Sequence, residues 1–145
     1  MPAIKAKTIW DNHPYPKYPC SEEHFANQCA IRMGVALEKS GIDSSSFDRM
    51  FPNRRCYKGL HHSPKHILAA QELANWMDKN SKIFGSVKKY KKTSSANFVG
   101  KKGIVFIMNG WGATDHIDIW DGSKMKGGRP NYLNIGEEVW FWKLD

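Results

Sequence analysis

The change of hydrophobic period along the chain constrains the fold more than any other feature. Before about residue 80, apolar residues recur at helical spacing. After it, "GIVFIMN", "DHIDIWDG" and "EEVWFWKLD" are short β-branched and aromatic runs separated by Gly-containing turns. The first pattern predicts amphipathic helices and the second neighbouring antiparallel strands. Helices followed by a sheet make an α+β domain. The 145 residues suit one hydrophobic core, so residues 1–145 are read as a single domain.

Residues 1–20 hold four of the seven prolines, a spacing that predicts an extended N-terminal arm. "SEEHF" is compatible with a single helical turn. Asn27 is a good N-cap for a helix over residues 27–40, with Cys29, Ala30, Met33, Ala36 and Leu37 on its apolar stripe and Gly41 beyond its end. A second helix is predicted for "SPKHILAAQELANWMDKN", capped by Ser63 with Pro64 at its first position. The segment between them reads as a loop-rich crossing.

The formal charge of +8 points to a polyanionic partner: nucleic acid, an anionic membrane surface or the carboxylates of a bacterial cell wall. Much of the excess lies in "KIFGSVKKYKKTSSANFVGKKG", which reads as a solvated loop. No zinc-ligand spacing or nucleic-acid motif accompanies it. The N-terminus lacks the apolar run of a secretory signal, and no segment is long enough to cross a bilayer, so synthesis as a soluble cytoplasmic protein is expected.

Cys29 has two readings. It is a small buried apolar residue, or it is a nucleophile, because a thiol in the first turn of a helix sits beside unpaired N–H groups and the positive end of the dipole. A nucleophile needs a base. Of the six histidines, His61, His62 and His66 cluster near a predicted helix start without ligand spacing, so no metal site is expected. His116 opens an alternating run that places it and Asp118 on one strand face, with Ile117 and Ile119 on the other. Cys, helix and then His on a strand is the order of a cysteine peptidase. An oxyanion would be met by the Cys29 backbone N–H and by the side chain of Asn27 or Gln28. A third group must orient the imidazole. Asp118 shares its face but lies only two residues along the same strand, a poor approach; Asn131, near the entry to the next strand, is the alternative.

The segments "NQCAIRMGVAL", "SPKHILAAQELANWM", "GKKGIVFIMNGW", "HIDIWDG" and "EEVWFWKL" resemble the fourth family of type VI secretion amidase effectors, papain-like cysteine amidases of the NlpC kind. The likeness spans most of residues 25–145. It implies a papain-like fold, Cys29 as nucleophile and His116 as general base. It also implies an acidic third residue downstream of the histidine, yet residues 126–131 read "KGGRPN", which leaves Asn131, Asp118 or Asp121 for that role. The family implies an antibacterial toxin delivered to a neighbour's periplasm. There it cuts peptidoglycan stem peptides, typically between D-glutamate and diaminopimelate, with no cofactor. A cognate immunity protein and a tube protein of the secretion machine are the implied partners. A Cys20–Cys56 disulfide formed after delivery would fit that route. Two rivals remain: an inactive papain-like module that binds cell wall or a partner, and a basic module that holds single-stranded nucleic acid.

Overall fold

The computed structural model describes residues 4–19, 27–55 and 66–145. Cys20, His24, Cys56, His61, His62, the "SEEHF" turn and the Ser63-Pro64 helix start lie outside the described residues.

The expected extended arm contains a helix, α1 (Ala6–Asn12), which buries Ala6 and Ile9. Residues 3–13 are free of proline, which leaves room for the helix, and Pro14 lies just beyond its end. The Ala6 N–H donates to the Asp145 carbonyl at 2.8 Å, tying this helix to the far end of the chain. Helix α2 (Cys29–Lys39) buries Cys29, Ala30, Ile31, Met33, Gly34, Ala36 and Leu37. It stops at Gly41, whose φ of 90° is the left-handed conformation that glycine adopts without penalty.

A short helix, α3 (Phe47–Met50), lies in the crossing. The next, α4 (Ala70–Lys79), begins later than its sequence pattern suggests. Ile67 pairs with Arg55 in an antiparallel bridge, and Ala69 is extended, so the chain enters the helix only at Ala70. Trp76 of α4 is fully buried, edge-on to Phe47 and Phe84, with its indole N–H donating to Ser46 Oγ at 2.9 Å. Helix α5 (Ser81–Phe84) follows.

Four strands are seen among the described residues: β1 (Lys88–Lys91), β2 (Gly103–Trp111), β3 (Thr114–Trp120) and β4 (Glu138–Lys143). They form an antiparallel sheet in the order β1-β4-β2-β3. The lysine-rich segment read as a loop therefore contains an edge strand. Its side chains are mostly exposed, so it carries no alternation of apolar and polar residues. Ile104, Phe106, Ile117, Ile119, Trp140 and Trp142 pack with the helices on one sheet face. Val105, Ile107, Val139 and Phe141 join Phe98 and Leu133 on the other. Two 3-10 segments, Ser95–Phe98 and Pro130–Asn134, contribute those last two residues. The period of two along each strand separates these two cores. Strand β3 is the other edge, and α1 and α2 pack against it.

Candidate active site

At the β3 edge, the start of α2 meets the strand. Gln28 is the N-cap and Cys29 the first helical residue, one position later than a cap at Asn27 would give. Asn27 still closes the turn, because its Oδ1 accepts the Cys29 N–H at 3.3 Å. Asn27 thus contributes an acceptor, while Gln28 is buried beside the thiol. Cys29 itself is 7% exposed and unpaired with another cysteine.

The thiol donates to the Asp115 carbonyl at 3.9 Å, next to His116 in the chain, and is near enough to the His116 ring to raise its pKa. On the other side of the imidazole, Nε2 lies 2.9 Å from Asp118 Oδ2, which leaves Nδ1 as the nitrogen for the thiol. The sequence argument against Asp118 fails for a physical reason. The ring is long enough to span a two-residue step along one strand face, and Asp118 is held to meet it. Its Oδ2 also accepts the Gly127 N–H at 2.9 Å, and its Oδ1 accepts the Ile119 N–H at 2.8 Å. Burial pulls the His116 pKa down, but the hydrogen bonds to Asp118 and Cys29, together with their negative charge, push it up to about 10. The arrangement therefore favours an imidazolium at neutral pH, the partner that a thiolate requires.

Asn131 is exposed on the Pro130–Asn134 segment, and no described hydrogen bond joins it to His116. Asp121 closes a turn, its Oδ1 accepting the N–H groups of Ser123 and Lys124. The 126–131 segment, where the resemblance places an acidic residue, reaches the site through the Gly127 backbone. A Cβ on Gly127 would lie 3.2 Å from Asp118 Oδ2, so Asp118 fills the space that a side chain there would take.

The cleft, of about 260 Å³, is lined by Asn27, Gln28, Cys29, Arg32, Trp111, Thr114, Asp115, His116, Gly127 and Tyr132. Several of these were missed from sequence. Arg32 lies one turn beyond Cys29, a spacing that marks the same helix face. Its guanidinium sits about 5 Å from the Tyr15 and Tyr18 ring centres (5.0 and 4.9 Å) and donates to the Lys17 and Pro16 carbonyls. Trp111 and Tyr132 stand edge-on to each other and to the His116 ring, with centroids 4.8, 6.1 and 5.3 Å apart. They come from the end of β2 and from the Pro130–Asn134 segment, and no local pattern announces them.

The sequence matches the family described as "Type VI secretion system (T6SS), amidase effector protein 4" over residues 25–142. No curated protein matches. Among solved structures, the effector Tae4 of Salmonella typhimurium, bound to the immunity protein Tai4 of Enterobacter cloacae, superposes with a TM-score of 0.70 at 18% identity. That alignment covers 97% of this chain and 99% of that one. Tae4 of Enterobacter cloacae alone gives 0.68 at 18% identity, covering 100% of both chains. The Enterobacter cloacae Tae4–Tai4 complex gives 0.68 at 21% identity, covering 97% and 98%.

Proposed function

We propose, on the premise that this chain belongs to the type VI secretion system amidase effector 4 family, that Cys29, His116 and Asp118 are its catalytic groups. The family's members are antibacterial amidases of peptidoglycan with a papain-like, NlpC-type fold, and this chain has that fold and that function. The observation that supports the assignment is the continuous line from the helix-terminal thiol of Cys29, through the His116 ring, to the buried Asp118 carboxylate.

In this reading the Cys29 thiolate attacks the amide carbonyl, and the negative charge that develops on its oxygen is met by the Gln28 side chain and by the Cys29 N–H as it turns from Asn27 Oδ1 to the substrate. The imidazolium of His116 gives its proton to the departing amine, which leaves a thioester on Cys29. A water then loses a proton to His116 and attacks the thioester, releasing a carboxylic acid and regenerating the thiol. Asp118 orients the ring and stabilises its cationic form throughout. Asn131 plays no part in these steps.

The bond cut is the amide between D-glutamate and diaminopimelate of the stem peptide, inside the periplasm of a target cell. One papain-like domain carries the activity. A cognate immunity protein blocks the cleft, in line with the Tae4 relatives solved bound to Tai4, and a tube protein of the secretion machine carries the chain outward. Digestion of purified peptidoglycan by the wild type and by Cys29→Ala, with released muropeptides identified by mass, tests this. A product seen only with the wild type, ending in a free glutamyl carboxylate, is expected. No product from a folded wild type would overturn it.

A further inference from the structure

His13 takes no part in the steps above, yet it is the polar side chain that approaches the Asp118 carboxylate from behind. Its side chain is 1% exposed, and its Nε2 lies 3.7 Å from Asp118 Oδ1, within ion-pair reach although longer than a direct hydrogen bond. The Tyr15 backbone N–H donates to His13 Nδ1 at 3.3 Å, so Nδ1 is an acceptor and a neutral ring carries its proton on Nε2, the atom that faces Asp118. Burial lowers the His13 pKa to about 4 against the attraction of Asp118, helped by Lys126, Arg32 and His116, and the ring stays neutral at working pH. The Gly127 backbone passes beside the ring, a Cβ built there standing 3.6 Å from its Cε1.

We propose that His13 is a positioning residue of the amidase, directing a neutral Nε2–H at Asp118 so that the carboxylate keeps the orientation in which it holds His116. The Asp118 carboxylate then meets a donor group on every side: His116 and the Gly127 N–H at Oδ2, the Ile119 N–H and His13 at Oδ1. This makes the N-terminal segment part of the reaction centre. It also gives the Arg32 clasp on residues 15–18 a purpose, because the clasp holds His13 in place. The inference rests on Asp118 orienting His116 as proposed above.

The experiment compares His13→Leu, which removes the N–H, with His13→Gln, whose amide offers an N–H near the same position. Murein hydrolysis is measured, and the His116 titration is followed by NMR. In His13→Leu, kcat is expected to fall about 10-fold with KM unchanged, the loss of a polar group that faces a buried charge. The His116 midpoint should move down by about 1 pH unit, the equivalent of that factor. His13→Gln should recover to within about 3-fold of the wild type and restore the midpoint. A folded His13→Leu with an unmoved midpoint, or a His13→Gln as impaired as His13→Leu, overturns the proposal. Should neither variant fold, nitrogen NMR of wild-type His13 decides: an imidazolium or an Nδ1–H tautomer at neutral pH overturns it, and a neutral Nε2–H supports it. If the wild type cuts no murein while the His116 midpoint still responds to His13, the substrate reading fails and the positioning role stands.

Discussion

His116 and Asp118 lie two residues apart on β3, and their side chains meet at 2.9 Å along the strand. One strand therefore carries both the proposed base and the group proposed to orient it, and a single edit separates the candidates for the third role. Asp118→Asn keeps the shape and removes the charge, and kcat on peptidoglycan should drop about 100-fold or more. Asn131→Ala should stay within about 2-fold, as expected of an exposed side chain away from the ring. Equal losses in the two variants would return Asn131 to the mechanism.

Gly127→Ala tests the same carboxylate from outside. The new methyl would lie 3.2 Å from Asp118 Oδ2 and 3.5 Å from the Tyr15 ring, so it displaces the carboxylate or the arm. A displacement of a few tenths of an ångström should cost about 10-fold in kcat. Unchanged steady-state kinetics would show that the carboxylate has slack.

Stability should respond to pH through two histidines with opposite signs. His116 keeps its proton in the folded chain up to pH about 10, while the unfolded chain releases it near 6.5. Its contribution is fully present below pH 6.5 and is lost as pH rises toward 10. His13 is held neutral down to about 4, so the unfolded chain takes up a proton between pH 6.5 and 4 that the folded chain refuses, and stability falls as pH drops through that window. Thermal unfolding from pH 4 to 10 should show a maximum near 6.5. The alkaline decline should shrink in His116→Gln and the acid decline in His13→Gln; slopes unaltered by both substitutions would contradict the assignment.

Trp111 is 40% exposed at the cleft mouth, with Tyr132 edge-on against it. Substrate stems should pass over this pair. Trp111→Ala is expected to raise KM about 10-fold with a smaller effect on kcat, as when apolar contact made equally in ground and transition states is removed. A drop confined to kcat would place Trp111 in the chemistry instead.

Much of this was legible in the sequence. The change of period located the three aromatic strands, and the helical spacing put Cys29 in a first turn. What escaped notice lacked a local signature. Strand β1 has one neighbour and little buried surface, so its lysines mask it. Helix α1 hid in the proline-free stretch of a segment rich in proline. Ile67 was counted into a helix although a bridge to Arg55 holds it extended. Two residues along one strand looks a poor approach for Asp118, but the pleat fixes only the spacing of the Cα atoms and leaves the side-chain tips free to meet. His13 reaches the site from the far end of the chain, and no spacing rule connects it to Asp118.

The place of β4 between β1 and β2 governs when this molecule can exist at all. The strand that follows the others in the chain is the one both neighbours require, so during synthesis β1 emerges without a partner and waits for the rest of the sheet. Such non-local pairing slows folding and delays it until these residues have left the ribosome. A nascent chain already carries its thiol but not the strand that completes the sheet under its base. The producing cell thus makes a polypeptide that gains its cutting edge only once β4 has emerged and paired with both neighbours.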